Sequence, residues 1–245
     1  MKSKTQKKSK FAFLKWFDPF TYVDLALEKT IGKQEGFWRN IVYWAFYILT
    51  AFVTAVVIYK FIGLILGVAE PLAIVVSSSM VPVLNIGDVI IFTSPKELNI
   101  PEITIDKSIG YKDVSEFAEI NYYINDFGLN EVENVVINGK TIVVKDAITN
   151  KNSIVVYNSN INGRDIIHRA IVKIKARDGT FILTKGDNPK TNTNIDQDCG
   201  VIRTETEIEI QKNCLNLYPT RIEDVQRKKI GKIPYIGYIK LVLFQ

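Results

Sequence analysis

With a single histidine and two cysteines in 245 residues, the chain has no Cys/His pattern able to build a metal centre. It has no glycine-rich loop to cradle a phosphate, and no internal repeat of the kind that builds solenoids or propellers. The only compositionally biased stretch is a lysine-rich start. The two cysteines, Cys199 and Cys214, are free to pair if they lie in an oxidising compartment, although spacing alone does not fix their geometry.

What is abundant is apolar and local. Residues 41–59 form an uncharged run of nineteen, and after Lys60 the apolar character continues to Ala69. At about 1.5 Å per residue in a helix, nineteen residues cover roughly the hydrocarbon core of a bilayer. Lys60 can snorkel to one interface, and Trp38, Tyr43 and Trp44 suit the other. The sequence thus predicts a transmembrane helix over 41–69. A cleaved leader is the rival, weakened by the forty polar and amphipathic residues that precede the run.

The flanks set the orientation. Lys2, Lys4, Lys7, Lys8, Lys10, Lys15, Lys29, Lys33 and Arg39 outnumber Asp18, Asp24, Glu28 and Glu35. By the positive-inside rule, residues 1–40 are a basic cytoplasmic tail and 70–245 lie outside. The net charge of +5 is then mostly a topology signal and an attraction to anionic lipid; no nucleic-acid footprint is expected. Asp18-Pro19 is a plausible helix start, and Phe20, Val23, Leu25 and Leu27 fit an amphipathic helix in the membrane interface. A short cytosolic helix fits equally well.

From Leu72 the pattern is β-rich. Residues 95–153 read as an insert whose first part is acidic, most simply a solvated face, and no catalytic constellation stands out in it. Asn138-Gly139 between β-branched runs predicts a hairpin. A second hairpin is expected at Asp178-Gly179. A tight two-residue turn there pairs Arg177 with Thr180 and Ala170 with Asp187. Asp187 becomes the diagonal neighbour of His168, with α-carbons about 7–8 Å apart. The same count sets Lys185 opposite Val172, on the His168 face. The stretch 230–244 is too short and too polar to span a bilayer and is expected to return to the core as strands.

The chemistry-bearing string is Ile74-Val75-Val76-Ser77-Ser78-Ser79-Met80-Val81-Pro82, leading into Gly87-Asp88-Val89. Serine clusters between strands ordinarily form turns whose hydroxyls bond nearby backbone. Here Ser-x-Ser-Met-x-Pro followed by Gly-Asp-Val resembles the nucleophile box of type I signal peptidases, which remove leader sequences from exported proteins. Ile166-Ile167-His168-Arg169-Ala170 resembles the second box of the archaeal and endoplasmic-reticulum type, where the bacterial type carries lysine. Leu183-Thr184-Lys185-Gly186-Asp187-Asn188 resembles the third, and the ending from Ile230 is similar to the family's closing strands.

The resemblance implies a mostly β fold of coiled antiparallel sheets behind one N-terminal anchor. It implies a membrane-bound serine endopeptidase with Ser79 as nucleophile, His168 as general base, and Ser77 with the Ser79 N–H as oxyanion donors. Asp187 and Asp196 are the implied carboxylates; Asp198 is the alternative to Asp196, because the loop after Asn188 is longer than the common form. Arg169, Lys173 and Lys185 are read as structural, Lys185 because the family's lysine in that context is not the base. No metal or organic cofactor is implied. The implied partners are signal peptides of secretory preproteins and the lipid bilayer, with the protein-export channel as a further candidate. The implied location is the cell membrane, single-pass. The competing class is a catalytically silent, membrane-anchored binding or assembly module on the same fold. A soluble self-cleaving repressor-type protease is disfavoured by the apolar helix and by His168.

Overall fold

A computed structural model describes residues 18–31, 36–203, 208–210 and 212–243. The lysine-rich start, residues 1–16, lies outside the described residues. The chain divides into two compact units, residues 1–65 and 66–245.

In the first unit, α1 (Pro19–Ile31) starts where expected. Asp18 caps it, accepting from the Phe20 N–H at 3.0 Å and the Thr21 hydroxyl at 3.1 Å. Pro19 occupies the first helical position, where a missing N–H costs nothing. α2 (Phe37–Leu66) is a single helix of 30 residues, about 45 Å long and apolar enough to cross a membrane. It begins four residues before the uncharged run and ends three residues short of Ala69. Phe20 stacks on Tyr47 with ring centroids 5.4 Å apart, and the Tyr47 hydroxyl donates to Asp24. α1 therefore has a packing partner, a third outcome beside the two weighed for it.

The second unit is mostly β and largely antiparallel. Its main sheet contains β1 (Leu72–Ile74), β2 (Val89–Thr93), β13 (Val225–Ile233), β7 (Ile154–Asn158), β8 (Asp165–Ala176), β9 (Gly179–Lys185) and β12 (Thr220–Arg221), in that spatial order. β3 (Glu102–Thr104) adds to β8 in parallel, at residues 173–175 beyond the reach of β7. Buried Val75, Leu84, Ile90 and Phe92 pack with Ile154 and Val156, so the serine-bearing loop sits on a rigid apolar floor.

The insert is a small three-stranded sheet, β4 (Ala118–Ile124), β5 (Asn130–Ile137) and β6 (Lys140–Val143), followed by α3 (Val144–Thr149). Its hairpin turns at Asn138 and Gly139, with φ of 51° and 73°, the left-handed pair that a two-residue turn requires. The insert is no detached lobe: Val132, Val135 and Ile137 share one core with Ile171, Val172, Ile174 and Leu183 of β8 and β9. Nor is its acidic surface wholly solvated, since Asp113 and Glu131 are buried. β10 (Val201–Arg203) and β11 (Ile208–Ile210) form a separate two-stranded ribbon, and Cys199 and Cys214 are joined in a disulfide.

Two expectations fail. The closing stretch is only partly strand: β13 ends at Ile233, and α4 (Tyr238–Leu243) follows. The β8–β9 hairpin turns at Arg177-Asp178, with Ala176 opposite Gly179. Asp178 is held by another segment, its carboxylate accepting from the Ile109 and Gly110 N–H groups at 3.0 and 2.8 Å. Gly179, at φ 142°, begins the returning strand. A bulge between Ala170 and Val172 shifts the register again, so Ala170 faces Thr184 and Lys185 faces Arg169.

Candidate active site

The serine loop is fixed from both sides. Val75 N–H bonds the Asp88 carbonyl at 2.9 Å, and Asp88 accepts from Asn85 N–H at 3.0 Å and from Lys232 at 2.7 Å. Burial alone pushes the Asp88 carboxyl up. The Lys232 ammonium and the Asn85 N–H outweigh it and hold the group below the ordinary aspartate value. From the other side, Asn188 donates its side-chain amide to the Ser78 carbonyl at 2.8 Å and its N–H to the Ser79 carbonyl at 2.9 Å. Gly186 makes that approach possible: a β-carbon there would lie 2.7 Å from the Ser79 carbonyl oxygen and 2.6 Å from Asn192. Asn188 was not singled out by the sequence reading, although it belongs to the Gly-Asp-Asn string.

Ser79 and Ser77 sit side by side, hydroxyl to hydroxyl at 3.3 Å. No hydrogen bond among the described residues uses the Ser79 backbone N–H. Both serines line a cavity of about 290 Å³ together with His168, Asn192 and the apolar side chains of Val76, Ile167 and Leu215.

His168 lies on β8, 2 % exposed, and its Nδ1 meets Asp196 Oδ2 at 2.7 Å. That contact leaves Nε2 as the ring nitrogen available to the cavity. Ser79 and His168 form no direct hydrogen bond. Asp196 is itself held. It accepts from Thr184 Oγ1 at 2.7 Å and Tyr157 OH at 3.0 Å, and its own N–H bonds the Thr184 carbonyl at 2.8 Å. Burial, and then the charge of Asp196, push the Tyr157 phenol well above its usual value, so Tyr157 remains a donor.

The other sequence-derived carboxylates lie elsewhere. Asp187 is not beside His168; it closes a buried two-point pair with Arg169, at 2.8 and 2.6 Å. The turn and the bulge in the β8–β9 hairpin remove the register that brought it near. Asp198 accepts from Tyr122 OH at 2.6 Å and from Lys212 at 2.8 Å, tying the insert to the far side of the loop. Lys185 is consumed by Glu131 at 3.0 Å and the Gly186 carbonyl at 3.1 Å.

The insert contributes in a way its sequence did not announce. Val132 N–H bonds Thr193 O, and Asn125 bonds Pro189 O, each at 2.9 Å. Asp113 accepts from the Cys199 and Val201 N–H groups at 3.2 and 3.3 Å. Asp196 is thus braced on both flanks by the 113–132 segment. Among the described residues no group of three His, Cys, Asp or Glu side chains gathers to hold a metal. Compared with known proteins, the chain matches no family model and no curated protein.

Proposed function

We propose that the protein is a membrane-anchored serine endopeptidase of the Ser-His-Asp signal-peptidase type, cleaving leader peptides from exported preproteins. The observation that carries this reading is one cavity holding the Ser77/Ser79 hydroxyls and the imidazole of a His168–Asp196 pair. An alcohol needs a base to become a nucleophile at neutral pH. In this reading His168 Nε2 takes the Ser79 proton as Oγ attacks the scissile carbonyl, and returns it to the departing amine. Water then hydrolyses the acyl-enzyme by the same route. Asp196 fixes the tautomer and stabilises the imidazolium. The free Ser79 N–H and the Ser77 hydroxyl serve the oxyanion, a kind of contact worth about 2.7–4 kcal/mol. The apolar cavity walls suit a short, small-side-chain stretch of extended peptide.

α2 anchors the enzyme in the cell membrane, the basic N-terminal residues face the cytoplasm, and the β domain lies outside. The Cys199–Cys214 disulfide fits an oxidising exterior. The test is cleavage of a model preprotein by the full-length protein in detergent, with the new N-terminus read by mass spectrometry. Wild type should cut once behind small residues, and Ser79→Ala and His168→Ala should not cut while melting normally. Full activity of Ser79→Ala would sink the proposal, and binding without cleavage by wild type would favour the silent module.

A further inference from the structure

We propose that the cavity on the opposite face of β8 from His168 binds a phosphate-bearing anion, and that an anionic phospholipid headgroup supplies it. Side chains alternate along a strand, so Arg169 points away from the catalytic cavity into this second one, of about 520 Å³. Lys151, Lys228 and Lys229 line it with Arg169, and no acidic residue does.

Some of these cationic groups already have partners. Arg169 is matched by Asp187, Lys228 gives its ammonium to the Glu97 carbonyl, and nearby Lys232 is matched by Asp88. Lys229 is different. It is half-buried and, among the described residues, has no acidic partner. Burial first, then repulsion from Arg169 and Lys232, hold its ammonium below the ordinary lysine value. A cation kept from water without a counter-charge is costly, and an anion entering the cavity relieves that cost. The Lys151 and Lys229 ammonium groups supply donors without acceptors at this space, which suits the several oxygens of a phosphate. The remaining wall is apolar: Val83, with Ile148 and Ile230 exposed by 42 % and 51 %. A free phosphate has no use for that wall, whereas the glycerol and first methylenes of a lipid do. A chain carrying a helix long enough to cross a membrane has such lipids at hand.

The proposal is independent of the protease reading and can be read at Lys229 itself. The full-length protein, in neutral detergent at mildly alkaline pH, is pulsed with an amine-acetylating reagent, and each lysine's labelling rate is mapped by mass spectrometry. An anionic short-chain phospholipid should slow Lys229 labelling at least fivefold while exposed Lys140 is unaffected. A zwitterionic phospholipid should do much less. Protection by inorganic phosphate at equal concentration would identify free phosphate as the source. Protection needing at least tenfold more inorganic phosphate than lipid identifies the headgroup. The Lys151→Gln protein, melting as wild type does, should require at least tenfold more lipid. Lys229 labelling that no phosphate compound alters, or that slows no more than Lys140, overturns the proposal. So does equal protection by the zwitterionic lipid.

Discussion

At the scale of single residues, the carboxylates near the cavity have different partners, and their substitutions should separate accordingly. Asp196 touches the imidazole, so Asp196→Asn keeps the shape but holds the wrong tautomer, a change that costs about 10⁴ in kcat where serine proteases use this arrangement. Asp187→Asn instead leaves Arg169 buried without its counter-charge. We expect a stability loss of about 3–5 kcal/mol, with weakened activity as a consequence of the loosened loop. Asp198→Asn, which keeps a partner for Tyr122, should be mild. Denaturant melts paired with single-turnover rates distinguish the three, and a near-inactive Asp198→Asn beside a normal Asp196→Asn would reverse the assignment. Asn188→Ala removes the side-chain tether to the Ser78 carbonyl. It should cost about 1 kcal/mol of stability and lower kcat more than it raises KM, because the serine loop rather than the substrate contact is released.

At the scale of elements, local chemistry was read well and long-range slippage was not. The 138–139 hairpin follows from two left-handed positions that Asn and Gly accept cheaply. The 178–179 hairpin looks the same in sequence, but the Asp178 carboxylate is claimed by residues 109 and 110, 69 and 68 positions earlier, and the turn moves back by one residue. The bulge at Ile171 has no sequence mark, and with it Asp187 meets Arg169 while Asp196, expected from the motif alone, meets His168. The insert's bracing of the Asp196 loop was equally hidden, since it runs through backbone N–H groups and carbonyls that every residue carries. Asp178 gives a pH test. Burial raises its carboxyl, but the Gly110 and Ile109 N–H groups outweigh that and lower it overall. A group whose folded pKa is depressed stabilises above its unfolded value and loses that contribution as pH falls through the folded one. Asp178→Asn should therefore melt lower than wild type at neutral pH, with the gap closing as the solution is acidified below the ordinary aspartate range. A gap constant with pH would mean that the charge plays no part.

At the scale of the whole molecule, the charge bias before residue 41 makes a prediction about sidedness. Protease added to intact cells should digest residues 72–245 and leave the N-terminal segment protected; the reverse pattern would overturn the orientation. The sheet order carries a consequence in time. β2, which follows the serine loop, and β7, which pairs with the histidine strand, never touch along the sheet; β13 lies between them and bonds to both. That strand begins at Val225, later in the sequence than both Ser79 and His168. The Ser79 half and the His168 half therefore each keep an open edge until β13 pairs between them. A chain of this design is closed last at its middle: until β13 is in place, the sheet that joins the Ser79 and His168 segments stays split in two.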